Sequence, residues 1–322
     1  MSAADPDPSV EPGVGEGLRV GLVGCGSWGV NILRDLRSLG SEVVAVARSA
    51  ESRARAEQGG AAGIVDSIPG LGAVDGVVVA TPETAHAATV AEALELGVPV
   101  FAEKPLTVDP RSADRLARAA PDRLFVMDKW RYHPGVEALR DLVASRELGP
   151  VRGITLKRLG WGNVHPTSDS TWHLVPHDLA IALEILGFIP EPRFAVAEQL
   201  ADKPTGLVAV LGSDPWVAIE ASIASPRRLR EVRVACRDGI AALPDSLADH
   251  LLVARTEGLG EEPEHRPIGD AMPLERELAA FLGHLRGGPP PRSSAAEGAA
   301  NVAAVGELRR LAGLPVASDE EV

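Results

Sequence analysis

A short glycine-rich loop joins the first apolar segment of the chain to its first segment with helical periodicity. The loop has the pattern G-x-G-x-x-G over residues 24–29, after a buried-strand pattern at 18–23 and before a helical pattern at 30–39. Such glycines permit a tight turn and let the main chain approach a pyrophosphate, which the amide groups and dipole of the helix N-terminus attract. In this context the pattern favours dinucleotide binding over a purely structural turn. The residues predicted to contact the dinucleotide are Gly24, Gly26, Ser27, Trp28 and Gly29.

Strands and helices alternate after this loop. Further strand patterns lie at 42–47, 76–80, 98–102 and 124–128, separated by helical patterns at 49–58, 84–96 and 110–120. Such alternation is typical of a doubly wound parallel sheet, so we predict an α/β fold with an N-terminal Rossmann domain at 18–130. Residues 1–17 are acidic and rich in proline and glycine, and they are predicted to form a disordered tail.

After residue 134 the pattern becomes mostly strand-like. Strands are predicted at 151–159, 194–200, 206–212, 216–223, 229–236 and 250–255, and helices at 135–145, 176–186, 274–286 and 294–312. Pro176 would occupy the first turn of its helix, where proline is favourable. We therefore predict a C-terminal α/β domain, residues 131–322, built on a large, mostly antiparallel open sheet.

Composition excludes several functional classes. The chain has 322 residues, 32 lysines and arginines, and 45 acidic residues, so its net charge of −13 argues against nucleic acid or an anionic membrane as a partner. The apolar runs are too short to span a bilayer, and no secretory signal precedes residue 18. Cys25 and Cys236 are the only cysteines, which argues against a disulfide framework or a cysteine zinc site. A cytoplasmic protein is expected.

The end of the second predicted strand bears on the identity of the dinucleotide. An acidic residue about 20 positions after the glycine loop would bind the ribose hydroxyls of NAD. Here the sequence is Val46-Ala47-Arg48-Ser49. The guanidinium of Arg48 suits a 2′-phosphate, and Ser49 is placed to donate to the same group. We predict NADP(H) rather than NAD(H); the alternative for Arg48 is an exposed loop arginine.

Charged residues follow directly after the fourth predicted strand, in the segment Glu103-Lys104-Pro105. Ligands of parallel α/β sheets bind beyond the carboxyl ends of the strands, so this pair is placed as a site would be. The alternative is a strand exit with solvated charges.

Several motifs together resemble the glucose–fructose oxidoreductase / inositol dehydrogenase / MocA (Gfo/Idh/MocA) family. These motifs are the glycine loop, Ala80-Thr81-Pro82 with His86, Glu103-Lys104-Pro105, Arg131-Tyr132-His133-Pro134 and Trp172-His173-Leu174-Val175-Pro176-His177-Asp178. The resemblance extends over residues 18–313. It implies a Rossmann domain and an α/β domain whose open sheet forms a homodimer or homotetramer. It also implies hydride transfer between a nicotinamide and a carbon bearing oxygen, on sugars, nucleotide sugars or cyclitols.

The resemblance also implies roles for individual residues. Lys104 would hydrogen-bond the reacting oxygen, and His177 would exchange a proton with it, which fits the chemistry of carbonyl reduction. Glu103 would contact the nicotinamide ribose, with Thr81, Pro82 and His86 lining the same groove. Further expected contacts are Lys129 on the cofactor side, where the alternative is a solvated side chain, and Arg131, Tyr132, Trp161 and Trp172 on the substrate side, where the alternative for each tryptophan is a core position.

One departure from the family pattern concerns the substrate. An aspartate is usual four residues before the catalytic histidine, and here His173 stands in its place. The change removes a negative charge, so we expect His173 to face a substrate that can be anionic. A shifted frame would pair Asp169 with His173 instead. A metal site formed by His173, His177 and a third histidine, His133 or His165, is disfavoured because Pro176 would place His173 outside the helix; no metal is expected.

These predictions leave three functions open. The first is an NADP(H)-dependent oxidoreductase acting on a sugar-like or cyclitol-like alcohol or ketone. The second is a reductase of a C=N or C=C bond, because a lysine and a histidine can protonate those products as well. The third is a catalytically silent, cofactor-sensing regulator on the same fold, for which the missing aspartate is the argument.

Overall fold

The computed structural model describes residues 13–162, 169–201 and 203–316, and it divides the chain into two compact units. The first unit comprises Met1–Lys129 and Ala271–Ala299, and the second comprises Trp130–Asp270 and Ala300–Val322. The first unit therefore includes Ala271–Ala299, which the predicted boundaries assign to the C-terminal domain.

The first unit is built on a six-stranded sheet in which every strand pair is parallel. Its order is β3-β2-β1-β4-β5-β6, so the predicted doubly wound sheet is confirmed. The strands are β1 (Arg19–Val23), β2 (Glu42–Val46), β3 (Gly63–Val65), β4 (Gly76–Val79), β5 (Val100–Glu103) and β6 (Leu124–Met127). The helices between them are α1 (Gly29–Ser38), α2 (Ala50–Gln58), α3 (His86–Leu94) and α4 (Pro110–Ala119). Buried-strand patterns of four or more residues predicted all of these strands except β3, which has only three residues.

The second unit is built on an eight-stranded sheet of order β14-β13-β12-β11-β7-β10-β9-β8. Only β7 and β10 pair in parallel, so the predicted, mostly antiparallel sheet is confirmed. Its first helix is α5 (Pro134–Ser145), and its second, α6 (Ser170–Leu186), packs against β7, β9 and β10. The strands are β7 (Val151–Trp161), β8 (Pro192–Leu200), β9 (Lys203–Gly212), β10 (Trp216–Ser222), β11 (Ala224–Cys236), β12 (Gly239–Leu243), β13 (His250–Arg255) and β14 (Glu264–Pro267).

Helix α6 begins at Ser170, so the prediction that Pro176 lies in the first turn of a helix is wrong. The helix begins there because the carboxylate of Asp169 accepts a hydrogen bond from the Thr171 amide at 3.0 Å and is held by Arg309 at 2.7 Å. A proline inside a helix costs about 3 kcal/mol. The burial of almost every residue of α6 offsets that cost.

Two C-terminal helices, α7 (Pro273–Leu285) and α8 (Ala295–Leu311), complete the chain. Helix α7 packs on α1, and its apolar face joins the core of the first sheet. There the ring of Phe281 stacks on Phe101, with centroids 5.0 Å apart. This packing explains why Ala271–Ala299 belongs to the first unit.

Part of the segment predicted to be a disordered tail is described. Residues 13–17 form turns in which Val14 is buried, and Arg286 donates hydrogen bonds to the carbonyls of Val14 and Glu16. Residues 1–12 lie outside the described ranges. Among the helices described, none combines the length and apolar character needed to cross a bilayer.

Candidate functional site

The glycine loop between β1 and α1 has the geometry that a dinucleotide requires. Gly24 has a φ of 98°, and a Cβ on it would lie 2.7 Å from the carbonyl oxygen of Ala80. A Cβ on Gly29 would overlap the carbonyl oxygen of Gly24, whereas one on Gly26 would meet no atom within 4 Å. Within the described ranges, the amide groups of Gly26, Ser27 and Trp28 donate to no acceptor. The loop thus offers open amide groups at the start of a helix, which fits a pyrophosphate.

The residues predicted to select the dinucleotide lie just after β2. Arg48 is exposed, and its Nε donates to the carbonyl of Asp66 at 3.3 Å. No other hydrogen bond of its guanidinium is formed within the described part of the chain, so the terminal nitrogens can reach a ligand. The hydroxyl of Ser49 caps α2 by accepting from the Ser52 amide at 3.1 Å. Its predicted donation to a phosphate would compete with the hydrogen bond it now makes to Ser52.

Trp28, Glu103 and Lys129 form one cluster at the carboxyl edge of the first sheet. The indole of Trp28 donates to one carboxylate oxygen of Glu103, and the Lys104 amide donates to the other at 3.1 Å. The ammonium of Lys129 lies 4.3 Å from the centroid of the Trp28 ring, a cation–π contact. Glu103 and Lys129 therefore brace the tryptophan of the glycine loop; their contacts with a cofactor remain predictions.

Thr81 and His86 hold the main chain on both sides of the same edge. The ring of His86 is buried, with one nitrogen 2.8 Å from the Thr81 carbonyl and the other 2.8 Å from the Pro105 carbonyl. Its effect on a bound cofactor would thus pass through the two segments it joins. Pro82 is exposed beside them, and the buried Thr81 hydroxyl makes no hydrogen bond to any described residue. A ligand group at this edge would give that hydroxyl its partner.

Lys104 follows directly after β5 and is half-buried. The peptide bond from Lys104 to Pro105 is cis. The ends of β1, β4 and β5, which are neighbours in the sheet, thus bring together the glycine loop, Thr81, Glu103 and Lys104. This is the edge at which parallel sheets bind their ligands.

Sequence reasoning missed one acidic residue near this cluster, Glu277 on α7. It is 1% exposed, and its Oε2 makes no hydrogen bond within the described residues. Burial raises the pKa of Glu277 well above its usual value, and the negative charges of Glu103 and Asp128 add to this effect against Lys129. Glu277 therefore keeps its proton to a higher pH than an ordinary glutamate does.

Glu277→Gln is expected to make the stability of the folded chain less sensitive to alkaline pH. Because folding raises the pKa of Glu277, the folded state binds its proton more tightly, so stability is greatest below the ordinary glutamate pKa and falls as pH rises towards the raised value. Between pH 5 and 9, the melting temperature of the variant should decline less than that of the unaltered chain. At high pH the variant should melt higher, by about 2–4 °C for each kcal/mol of stability gained. Glu57→Gln, at an exposed position on α2, is the control. Identical pH profiles for Glu277→Gln and the unaltered chain would contradict this.

His173 and His177 lie one turn apart on α6 and share a face. The expectation that Pro176 places His173 outside the helix is therefore wrong. Both histidines are half-buried on a helix that is otherwise almost entirely buried. The rings of His177 and Trp130 pack edge to face, with their centroids 6.5 Å apart. The alternative assignment, in which Asp169 supports His173, is less favourable, because the carboxylate of Asp169 binds the start of the helix and Arg309.

Two charged residues were not predicted as part of the site, Arg158 and Asp178, the chain neighbour of His177. The Nε of Arg158 donates to Asp178 at 2.9 Å, with both side chains buried, and the guanidinium of Arg158 lies 4.5 Å from the Trp130 ring. Burial raises the pKa of Asp178, although Arg158 opposes this shift. The sequence signal that was available is the position of Asp178, directly after His177.

The other predicted substrate residues occupy different environments. Arg131 is buried and donates to Glu184 at 2.8 Å, while Tyr132 is buried nearby in the same 3₁₀ turn, Lys129–Tyr132. Trp172 is buried, with Arg309 over its ring, and Trp161 is 70% exposed at the end of β7. Substrate contact by these four residues remains a prediction.

The histidines named for a metal site do not form one with other described residues. His133 caps α5 by accepting from the Gly135 amide, and its other ring nitrogen is 3.1 Å from the Ser246 carbonyl. His165 lies outside the described ranges. Within those ranges, no group of three or more histidine, cysteine or acidic residues could hold a metal ion.

Comparisons with known proteins agree with this architecture. Residues 18–126 match the family model described as "Oxidoreductase family, NAD-binding Rossmann fold", GFO_IDH_MocA. An inositol 2-dehydrogenase of Corynebacterium glutamicum is 34% identical over 144 residues, 41% of this chain and 42% of the relative. The chain thus spans about two fifths of the length of that relative. A second inositol 2-dehydrogenase, from Burkholderia vietnamiensis, is 28% identical over 315 residues, 89% of this chain and 92% of that protein.

Among solved structures, UDP-N-acetylglucosamine 3-dehydrogenase GnnA from Acidithiobacillus ferrooxidans has the same fold. Its TM-score is 0.78 at 24% identity, over 91% of this chain and 97% of that one. Together with the glycine loop and the edge that carries Glu103 and Lys104, the family-model match confirms, for residues 18–126, the family that the motifs predict. Residues 18–126 belong to the Gfo/Idh/MocA oxidoreductase family, with its NAD-binding Rossmann fold.

Proposed function

We propose that this chain is an oxidoreductase that transfers a hydride between a nicotinamide dinucleotide and a hydroxyl or carbonyl carbon of a sugar, nucleotide sugar or cyclitol. The observation that carries the proposal is the shared edge of β1, β4 and β5. At this edge, the glycine loop follows β1 and offers open amide groups suited to a pyrophosphate, and Lys104 follows β5 directly. The inositol 2-dehydrogenases among its relatives support a polyhydroxylated substrate.

The residues of the chain supply binding and proton transfer for this reaction. The bound nicotinamide would give or take the hydride. In the reducing direction, the ammonium of Lys104 stabilises the negative charge that develops on the substrate oxygen. His177 gives that oxygen its proton, and in the oxidising direction it removes the proton again. The glycine loop, Thr81 and Glu103 would hold the dinucleotide.

Thermal unfolding with cofactors and candidate substrates tests the proposal. NADPH or NADH should raise the melting temperature by mass action, and a cyclitol, sugar or nucleotide sugar that is a substrate should raise it further. The same compounds, together with imines and activated alkenes, are then assayed for turnover. Cofactor binding without turnover on any of them would instead support the silent regulator. Turnover only on imines or activated alkenes would support the reductase alternative.

We further propose that the preferred cofactor is NADP(H). The support is the exposed guanidinium of Arg48 directly beyond β2, where the acid expected for NAD is missing. A forked guanidinium matches a phosphate in charge and geometry.

Arg48→Asp is expected to weaken NADPH binding about 10- to 100-fold, because a charge-assisted contact is lost and a repulsive charge is introduced. NADH binding should change little or improve. Titration of each cofactor by fluorescence measures this, with Arg118→Asp on the exposed face of α4 as the control. Tighter binding of NADH than of NADPH by the unaltered chain would overturn the preference.

We also propose that the chain forms a homodimer or homotetramer through the open face of its eight-stranded sheet. On that face, Phe194 and Val196 of β8 pair with Val210 and Val208 of β9, and three of these four side chains are about half exposed. An apolar face of this kind favours burial against a second copy. Sedimentation of the chain, compared with Val208→Glu, measures the association.

A further inference from the structure

Two arginines face each other across neighbouring strands of the second unit. Arg158 on β7 lies directly opposite Arg230 on β11 in the antiparallel register, on the sheet face whose neighbouring positions, such as Leu156 and Val232, are buried. The side chain of Arg158 is 5% exposed, and Arg230 is half-buried. Like charges directly opposite each other destabilise a sheet, and buried charges are normally paired.

The carboxylates near these arginines do not balance their charge. Asp178 binds Arg158, whereas Arg230 donates from one nitrogen to two main-chain carbonyls, those of Leu159 and Leu229. Asp245 is already engaged by Arg228, on the same strand, at 3.2 Å. The pair therefore carries at least one positive charge that no described side chain neutralises.

The surroundings of Arg230 disfavour its charge. Burial lowers the pKa of Arg230, and the positive charges of Arg158 and Arg228 lower it further, against the weaker effect of Asp178 and Asp245. A guanidinium kept in such a place reduces the stability of the fold unless an anion joins it.

Two contacts link the arginine pair to the surroundings of His177, the residue assigned to proton transfer. Arg158 is bound to Asp178, the neighbour of His177 in the chain, and it stacks on Trp130, whose ring also meets His177. An anion bound by the pair would therefore be close to α6 and its two histidines.

We propose that Arg230, supported by Arg158, binds an oxyanionic group of the substrate, either a carboxylate or a phosphate. The inference rests on the proposed function, because it makes this group part of the molecule that is oxidised or reduced next to His177. Within the sugars and cyclitols proposed above, it selects sugar acids and phosphorylated sugars, including nucleotide sugars, over neutral polyols.

The first test is a binding measurement that needs neither cofactor nor turnover. Inorganic phosphate and acetate are titrated into the full chain at constant ionic strength, made up with sodium chloride, while the melting temperature is recorded. At least one of the two anions should raise the melting temperature of the unaltered chain beyond chloride, and Arg230→Gln should lose that rise. The control is Arg233→Gln, which lies on the same strand but on the opposite face, where Arg233 is exposed and bound to Thr155.

The free variant supplies a second readout. Arg230→Gln removes a like charge opposite Arg158, so without added anion it should melt at the same temperature as the unaltered chain or a few degrees higher. The rise would be about 2–4 °C for each kcal/mol of stability gained. An equal rise for the unaltered chain and Arg230→Gln, or no rise with either anion, would overturn the proposal.

The second test compares gluconate, glucose 6-phosphate and glucose as substrates with NADP⁺ and NAD⁺. Arg230→Gln should lower kcat/KM about 10- to 100-fold for the preferred anionic compound, with little change for glucose. A preference for gluconate identifies a carboxylate, and one for glucose 6-phosphate a phosphate. Equal losses for all three compounds would overturn the proposal. No turnover on these compounds or on the cyclitols and nucleotide sugars tested for the proposed function, together with anion protection that depends on Arg230, would contradict the proposed function but support the oxyanion site.

Discussion

Lys104→Ala is expected to remove most of the turnover of this chain while leaving its fold and its affinity for NADPH nearly unchanged. The ammonium of Lys104 is the only charge that the proposal places against the developing alkoxide, and loss of one such donor lowers kcat about 10²–10³-fold. Folding should be little affected, because Lys104 is half-buried just beyond the end of β5 and not within its core. Steady-state kinetics, the melting temperature and NADPH titration separate these effects.

The control for this variant is Lys203→Ala, at the exposed start of β9. Lys104→Arg keeps the charge but changes its shape, so partial activity is expected from it. Normal turnover by Lys104→Ala would show that Glu103-Lys104-Pro105 is only the exit of a strand. A large fall in melting temperature would assign Lys104 to the fold instead.

His177→Ala is expected to abolish turnover, with a loss of about 10²–10⁴-fold. His173→Ala should only impair it, although both histidines lie on the same face of α6. The reason is position: His177 lies against Trp130 and beside the buried pair formed by Asp178 and Arg158, which limits its movement. His173→Asp restores the carboxylate that is usual in the family. Its negative charge should weaken the binding of anionic substrates more than that of neutral ones.

Rates for one neutral and one anionic substrate, measured for all three variants, check these expectations. Glu198→Ala, at an exposed position on β8, serves as the control. Full activity of His177→Ala, with loss confined to His173→Ala, would move proton transfer to His173 and revive the frame in which Asp169 supports it. In that frame the carboxylate of Asp169 would have to leave both the Thr171 amide and Arg309.

The parts of the fold and site that could be predicted are those encoded in short stretches of sequence. The glycine loop depends on residues 24–29 and their flanking elements, and Lys104 on the strand that precedes it, so both lie where they were expected. The start of helix α6 was predicted wrongly because Pro176 was given more weight than Asp169. The cap formed with Arg309 depends on a contact between residues far apart in the sequence.

The residues that were missed acquire their properties from distant parts of the chain. Glu277 lies in an ordinary amphipathic helix, and nothing local shows that α7 buries it beside Glu103 and Asp128. Arg230 is one of several arginines on β11, and only the register with β7 sets it opposite Arg158. A shift of one residue would turn it to the other face of the sheet.

The discontinuity of the first unit has a consequence for how this protein is made. The core of its parallel sheet includes Leu278, Phe281 and Leu282 of α7, which the ribosome adds long after β6 is finished. At about 5–20 residues per second, Leu285 is synthesised roughly 8–30 s after Lys129. During that time Phe101 lacks its stacking partner Phe281, so part of the apolar face of the nascent sheet is left uncovered. The sheet of the first unit precedes the second sheet in the chain, but the core of that unit cannot be complete before α7 has been translated.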